Sequence, residues 1–325
     1  MLALKPSFFN TFEVNQQAVA QELSQGLLSA QAACSPKYFY NALGSSLFEA
    51  ITCLPEYYPT RSEATIFADQ AQAIHARLPA QAFWVDLGAG SCQKAARLFA
   101  HTVPGVYVAI DISLDYLRGA LARLQYEHPQ IPMIGVGMDF SKTLEFPLAL
   151  QQQVSAKPVL AFYPGSSLGN FSPDEALSFL QRIAALCAQG QSGSGLLIGI
   201  DLVKDHSVLE RAYDDDLGVT AAFNLNALRH INELLGSDFD VRDWRHSARF
   251  NIQESRIEMH LHARQKLTVS WPGQQRVFEA DESIHTENSY KWTPDKFTKH
   301  LLKAGFSQTQ HWTDQQGQYA VFWAS

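Results

Sequence analysis

The sequence is poor in cysteine, and the four that it has are not placed for pairing or for metal binding. Cys34, Cys53, Cys92 and Cys187 lie far apart, with no CxxC pair and no group of histidines and cysteines at metal-ligand spacing. We therefore expect four free thiols and no metal site.

Positive charge and long apolar runs are also lacking. The chain has 25 lysines and arginines against 32 acidic residues, so it offers no basic field that would collect phosphates, and a nucleic-acid partner is not expected. No run of eighteen or more apolar residues is present, and "MLALKPSFFNTFE" at the N-terminus lacks both segments of a secretory signal, so no membrane is expected. These absences indicate a cytoplasmic protein with a small-molecule partner. They leave the oligomeric state open, a monomer included.

Between residues 82 and 203, short apolar runs alternate with helical patterns. The runs predict buried strands at residues 82–87, 106–111, 132–136, 158–163 and 195–203. Residues 174–188 have the helical period, with Ser172 as the expected N-cap and Pro173 at the first helical position. Strands and helices that alternate in this way predict an α/β fold, a parallel sheet with helices on both faces.

The flanking segments follow other patterns. Residues 15–34 and 61–78 predict amphipathic helices, residues 204–250 a polar helical segment, and residues 256–280 an antiparallel meander that turns at "WPGQQ". From Thr293 a last helix and two short strands could close the sheet with an antiparallel edge. We therefore expect a Rossmann-like domain at 62–203 and 291–325. A discontinuous α+β domain would take 8–61 and 204–290.

A glycine turn follows the first strand of the predicted sheet. In "VDLGAGSCQKA", Asp86 precedes Gly88 and Gly90, and a helix pattern follows. Glycines allow a tight turn and close approach of a ligand, and the helix start offers free N–H groups. The next strand ends in Asp111, where a carboxylate can accept both ribose hydroxyls. This pairing predicts a nucleoside cofactor.

Two classes of cofactor compete for this turn. A dinucleotide site usually carries a third glycine, whereas this sequence has Gln93 there, which disfavours NAD. An acidic residue before the glycines suits the cationic amino group of S-adenosylmethionine. Asp139 follows the third strand, where the adenine amine is expected. The ordered set of strand-end acids favours the methyl donor over a nicotinamide cofactor.

Several longer strings carry a family resemblance. "KYFYNALGSSLFEAITCLPEYYPTRSEA", "YPGSSLGNFSP", "DLVKDHSVLERAYDDDLGVTAAFN", "SRIEMHLHAR" and "HTENSYKW" occur in order along nearly the whole chain. Together they resemble the L-histidine Nα-methyltransferases of ergothioneine biosynthesis. The resemblance implies an S-adenosylmethionine-dependent methyltransferase domain with a substrate-binding domain. The implied reaction is the methylation of histidine, up to three times, to hercynine.

The resemblance also implies roles for individual residues. Tyr40 would lie near the reacting amine, Asn170 and Tyr213 would hold the α-amino and carboxylate groups, and these three are the expected catalytic residues. The implied imidazole pocket consists of Tyr57, Met259, Glu287 and Ser289. The implied cofactor contacts are Gly88, Lys94, Asp111 and Asp139, to which the glycine-turn argument adds Asp86 and Gly90.

The chemistry of an imidazole pocket supports two of these roles independently. Imidazole has two ring nitrogens, so a selective pocket needs an acceptor close to a small hydroxyl donor or acceptor. Glu287 and Ser289, two apart on an extended segment, are expected to point to the same side. An alternative substrate is a tryptophan-derived amine, as in related alkaloid methyltransferases. A second alternative is a regulator that binds S-adenosylmethionine without turnover.

Overall fold

The computed structural model describes residues 4–11 and 15–325, which form two compact units. The first unit takes in residues 4–11, 61–202 and 292–325, and the second takes in residues 15–60 and 203–291. The boundaries expected from the sequence at 62, 203 and 291 each lie one residue from these. The string "LPEYYPTRSE" contains the first boundary.

The N-terminal segment differs from the sequence-based assignment, which placed residues 8–11 in the substrate domain. Strand β1, Ser7–Asn10, pairs in parallel with β5, Met133–Gly137, and Phe8 lies opposite Gly135. A Cβ at Gly135 would come within 2.6 Å of the Phe8 ring, so this glycine admits the aromatic side chain. Four residues show too little periodicity to predict the pairing. Residues 12–14, which the same assignment covered, lie outside the described residues.

The first unit contains a Rossmann-like sheet of eight strands in the described part of the chain. Its order is β1-β5-β4-β3-β6-β7-β14-β13, in which β14 and β13 run antiparallel and the others run parallel. The remaining strands are β3 Phe83–Leu87, β4 Val106–Asp111, β6 Val159–Tyr163, β7 Gly195–Asp201, β13 Thr309–Thr313 and β14 Tyr319–Ala324. The order reverses between β3 and β6, where ligands bind in open α/β sheets.

Alternate strand residues enter two separate cores, one on each face of this sheet. Phe83 and Val85 pack with α8 residues, whereas Trp84 packs on the opposite face with residues such as Leu117 of α6. The helices of this unit are α3 Tyr58–Asp69 (from Arg61 on), α4 Ala71–His75, α5 Gln93–Phe99, α6 Leu114–Glu127, α7 Leu148–Ser155, α8 Pro173–Gln189 and α11 Pro294–Ala304. Burial on both faces explains why these strands are continuously apolar.

The α/β prediction is confirmed in its main elements. Each of the five predicted parallel strands is present, and Ser172 caps α8 with Pro173 at its first position. The two C-terminal strands join the sheet antiparallel, as expected. The segment predicted as one helix at 61–78 forms α3 and the short α4 instead, with the break at Gln70.

The second unit contains a four-stranded sheet in its described part, with the order β2-β12-β9-β8. A separate hairpin of two strands turns at Pro272-Gly273. The strands are β2 Ala32–Ala33, β8 Trp244–Asn251, β9 Arg256–Ala263, β10 Leu267–Trp271, β11 Gln274–Phe278 and β12 Ser283–Tyr290. The helices are α1 Gln16–Leu28, α2 Ala42–Thr52, α9 His206–Tyr213 and α10 Val219–Leu235.

Three sequence-based predictions for this unit need correction. Residues 244–250 are strand β8 rather than helix, because they pair antiparallel with β9 along their length. Residues 256–280 are not one meander, because β9 pairs with β8 and β12 while β10 pairs with β11. The helix predicted over 15–34 ends at Leu28, and Ala32–Ala33 joins the edge of β12.

All four cysteines are free thiols, as expected. Among the described residues, no helix is long and apolar enough to cross a membrane. The same part of the chain contains no group of three or more histidine, cysteine or acidic side chains arranged to hold a metal ion.

Candidate active site

The glycine turn connects β3 to α5 at the point where the order of the sheet reverses. Gly88 and Gly90 have φ values of +69° and +51°, which residues with a side chain rarely adopt. The N–H groups of Gly88 and Ala89 donate to the Ile110 carbonyl at 2.9 and 3.0 Å, which holds the turn against the end of β4. The turn therefore needs its glycines for conformation.

Asp111 is fixed at the end of β4 by the same turn. Its Oδ2 accepts from the Gly90 N–H at 3.0 Å, and its Oδ1 accepts from the Ser113 N–H at 3.0 Å. Burial raises the pKa of this carboxyl, and the two backbone donors partly offset that increase. Each oxygen keeps a further lone pair that can accept a hydroxyl.

Asp86 is buried in β3, with only 2% of its surface exposed. Tyr107 Oη donates to its Oδ2 at 2.5 Å, whereas Oδ1 has no hydrogen-bond partner in the described part of the chain. Burial raises the pKa of this carboxyl to about 7, and the Tyr107 bond opposes the increase. A buried oxygen without a partner costs free energy that a cationic ligand could offset.

Asp139 follows β5 and is nearly buried. Its Oδ1 accepts from Ser141 Oγ at 2.5 Å, and its Oδ2 lies 3.7 Å from Lys142 Nζ. The neighbouring Phe140 ring lies at the glycine turn, 3.5 Å from where a Cβ of Gly88 would be. The structure therefore places the Phe140 ring at the turn, and the Asp139 carboxylate directly precedes it in the chain.

Lys94 lies in the first turn of α5 and forms an ion pair. Its Nζ is 2.7 Å from Oε2 of Glu63, while 38% of the lysine side chain stays exposed. Sequence reasoning predicted Lys94 as a cofactor contact and did not single out Glu63.

Asn170 ends a short 3-10 helix, Ser167–Asn170, that follows β6. The chain enters this helix through two residues in the left-handed region, Gly165 at φ +82° and Ser166 at φ +59°. Ser166 Oγ accepts from the Asp201 N–H at 2.8 Å, which ties the turn to the end of β7. Asn170 is half-buried at the carboxyl end of the sheet.

In the second unit, Tyr213, Ser289 and Lys291 form a hydrogen-bonded group. Tyr213 Oη and Ser289 Oγ are 2.7 Å apart, and Lys291 Nζ donates to Ser289 Oγ at 2.7 Å and to Tyr213 Oη at 3.1 Å. The ammonium also lies 4.7 Å from the centre of the Tyr213 ring. The structure thus brings together two predicted substrate residues through a buried lysine.

Glu287 lies on the same strand, directly opposite Met259 of β9. It is 8% exposed, and burial raises the pKa of its carboxyl to about 8, although the positive charge of Lys291 acts to lower it. Met259 is buried in an apolar cluster that includes Tyr57. Since Glu287 and Ser289 are two apart after the bulge in β12, they share a face of the sheet.

Tyr40 and Tyr57 belong to an aromatic cluster in this unit. Tyr40 makes edge contacts with Phe48 and Phe223 at 5.8 and 5.6 Å between ring centres, and Tyr57 makes edge contacts with Phe48 and Tyr213 at 6.3 and 6.2 Å. Three predicted substrate tyrosines therefore belong to one packed group. Such faces can stabilise a quaternary ammonium.

Over residues 19–325 the chain matches the family described as "Histidine-specific methyltransferase, SAM-dependent". The chain belongs to this family. Histidine N-alpha-methyltransferases from Mycolicibacterium smegmatis and Mycobacterium tuberculosis are 38% and 36% identical to it, each over 94% of both chains. Ergothioneine biosynthesis protein 1 from Neurospora crassa is 28% identical over 84% of this chain and 31% of that protein. The resemblance in the sequence is thus confirmed.

The residues of this methyltransferase fit S-adenosylmethionine on structural grounds. Asp86 offers a buried, unpartnered carboxylate oxygen for a cationic group, Asp111 offers acceptors for hydroxyls, and the glycine turn offers an open backbone. Gly90 has only another backbone atom near its missing side chain, at 4.0 Å. When bound, S-adenosylmethionine supplies an electrophilic methyl group.

Sequence reasoning missed Lys291 and His246 of this methyltransferase. Lys291 extends the two-residue spacing from Glu287 and Ser289, so the strand period could have found it. His246 is buried on β8, where Nε2 is 2.8 Å from the Tyr213 carbonyl and Nδ1 is 2.8 Å from Asn224 Nδ2. Burial lowers its pKa. A neutral ring that donates from Nε2 therefore holds the end of α9, and only the tertiary structure reveals this contact.

Proposed function

We propose that the protein transfers methyl groups from S-adenosylmethionine to the α-nitrogen of L-histidine, up to three times, to give hercynine. The observation that carries this proposal is the buried Glu287 carboxyl beside Ser289 on one face of β12. The similarity to the two mycobacterial histidine methyltransferases supports it. The similarity to the Neurospora protein supports placing the reaction in ergothioneine biosynthesis.

Recognition of the imidazole follows from matching its hydrogen-bond donor and acceptor to groups of the protein. A neutral imidazole has one N–H donor and one bare nitrogen acceptor. We assign the N–H to an acceptor oxygen of the Glu287 carboxyl and the bare nitrogen to the Ser289 hydroxyl. Lys291 can only donate, so it leaves the Ser289 proton available to the ring when Tyr213 donates to Ser289. An indole has no second ring nitrogen and would leave one of these groups unpaired, which is costly in a buried pocket.

The chain's own residues contribute position and electrostatics to the transfer. A neutral amine displaces the methyl group directly, so no enzyme nucleophile is required, and correct alignment supplies several kcal/mol or more. The faces of Tyr40, Tyr57 and Tyr213 are assigned to the growing methylammonium, worth roughly 0.5 to 2 kcal/mol. Asn170 and Tyr213 remain the predicted contacts for the α-amino and carboxylate groups of the substrate.

Mass spectrometry tests this function directly. The protein is incubated with S-adenosylmethionine and an equimolar mixture of free histidine and tryptophan. The proposal predicts the gain of three methyl groups on histidine and none on tryptophan. Methylated tryptophan with unmodified histidine would indicate a different amine substrate, and cofactor binding without any methylation would indicate a regulator.

A further inference from the structure

Glu63 is a buried carboxylate outside the set of residues that the sequence predicted for the site. It lies in α3 with 2% of its surface exposed. Its Oε2 accepts from Lys94 Nζ at 2.7 Å, and its Oε1 accepts from the Gly165 N–H at 2.7 Å and from Tyr319 Oη at 2.8 Å. One side chain thus joins α5, the turn after β6 and strand β14.

Two glycines leave the space that this arrangement requires. A Cβ at Gly199 in β7 would come within 2.1 Å of Glu63 Oε1. A Cβ at Gly165 would come within 2.8 Å of Lys94 Nζ, and the φ of +82° at Gly165 disfavours a side chain as well. Strand β7 and the turn after β6 therefore leave room for the Glu63–Lys94 pair.

Lys94 is exposed enough to bind a ligand while it keeps its ion pair with Glu63. An ammonium carries three protons, of which the Glu63 bond uses one, and 38% of the side chain remains accessible. The α-carboxylate is the anionic group of S-adenosylmethionine, so a lysine that faces this cofactor has one chemically suitable partner. Glu63 restricts the ammonium to one position before the cofactor arrives, which reduces the entropy lost on binding.

We propose that Glu63 is a positioning residue for S-adenosylmethionine, acting through Lys94 and the Gly165 turn. This inference rests on the cofactor role proposed for Lys94. The same turn leads through Ser166 to Asn170, so Glu63 also anchors the segment that carries a predicted substrate residue. Glu63 itself makes no contact with the reacting atoms in this account.

The test is calorimetric titration of S-adenosylmethionine into the Glu63→Gln variant. A glutamine oxygen at the Oε1 position can still accept from Gly165 and Tyr319, whereas the amide NH₂ at the Oε2 position cannot accept from Lys94. We expect the dissociation constant to rise about 5- to 20-fold, the size expected for a charge-assisted hydrogen bond on a part-exposed lysine. A change below twofold would overturn the proposal.

Two further variants separate positioning from a purely structural role. Tyr319→Phe removes a hydrogen bond to the same carboxylate without touching Lys94, so we expect cofactor affinity within twofold of wild type. An equal loss in Tyr319→Phe and Glu63→Gln would overturn the proposal. Lys94→Met should weaken binding, and adding Glu63→Gln to it should cause little further loss, because the two residues act together. A full additive loss would contradict this.

These titrations contain no histidine. A wild-type protein that binds S-adenosylmethionine but leaves histidine unmodified would contradict the proposed function. The comparison of cofactor affinity between wild type and Glu63→Gln would still test the role of Glu63.

Discussion

Lys291 Nζ donates to Ser289 Oγ at 2.7 Å and to Tyr213 Oη at 3.1 Å, so one buried ammonium sets the hydrogen-bond roles of two hydroxyls. Both oxygens must accept from it. Of the two hydroxyl protons, one lies in the 2.7 Å bond between Tyr213 and Ser289. In the arrangement where Tyr213 donates, the Ser289 proton can serve a ligand, which is the role that imidazole recognition requires.

Replacement of this lysine is predicted to weaken histidine binding more than it slows turnover. In Lys291→Met, Ser289 and Tyr213 lose a charge-assisted donor, and the KM for histidine should rise about 10- to 100-fold. Steady-state kinetics at saturating S-adenosylmethionine measures the split between KM and kcat. The exposed Lys299→Met serves as the control and should match wild type.

A double variant of Lys291 and Ser289 provides a second test of this prediction. Ser289→Ala should raise KM by a smaller factor when added to Lys291→Met than when made in wild type, since the lysine acts partly through Ser289. A KM within twofold of wild type for Lys291→Met would contradict the assigned role.

The raised pKa of Glu287 predicts a pH-dependent stability. Its folded-state pKa of about 8 lies above the ordinary value of 4.5, so the folded protein keeps a proton that the unfolded chain loses as pH rises between these values. The stability contributed by this site is therefore present at low pH and lost as pH rises toward 8. The side chain in Glu287→Gln stays neutral. The free energy of unfolding of this variant should therefore increase relative to that of wild type by roughly 1 to 3 kcal/mol between pH 5 and pH 9.

Urea unfolding at several pH values measures this gain. The exposed Glu254→Gln is the matched control for the same change of side chain on the surface. A constant difference between Glu287→Gln and wild type from pH 5 to pH 9 would show that Glu287 is not desolvated as described.

Asp86 predicts a pH dependence for cofactor affinity. Its pKa of about 7 means that the carboxyl is mostly neutral at pH 6, whereas a cationic ligand requires the charged form. Nearby charges also affect the pKa of this carboxyl: Lys94 lowers it, whereas Asp111 and Glu63 raise it. Affinity for S-adenosylmethionine should therefore rise from pH 6 to pH 8 by up to roughly tenfold.

Calorimetry on Asp86→Asn isolates this contribution. The titration of the cofactor's own groups is common to both proteins, so the ratio of the two affinities reports on Asp86. The ratio of wild-type to variant affinity should grow between pH 6 and pH 8. A ratio that does not vary with pH would remove Asp86 from the cofactor site.

The sequence predicted the parallel strands well because each is buried on both faces and therefore reads as an apolar run between helical periods. It failed where a partner decides the structure. Trp244–Asn251 has a polar composition and becomes a strand through pairing with β9, and Ser7–Asn10 joins a strand more than a hundred residues away. Such pairings carry no local signal.

The site residues likewise divide into those with a local sequence signal and those that depend on a distant partner. Motif strings and the strand period predicted Glu287 and Ser289, and the period also extends to Lys291. Glu63 carried no such signal: it stands in the string "YYPTRSEA" beside tyrosines that drew the interpretation toward the substrate. Its role depends on Gly165 and Tyr319, which are about 100 and 250 residues away in sequence. Long-range partners of this kind become visible only in the folded chain.

The most direct test of the account compares wild type with Glu287→Ala in a competition between histidine and tryptophan for methyl groups, with cofactor affinity measured in parallel. The account predicts that the variant loses the preference for histidine by roughly a hundredfold or more, because the imidazole N–H loses its acceptor. Affinity for S-adenosylmethionine should stay within twofold. An unchanged preference for histidine in Glu287→Ala would contradict the proposed imidazole site.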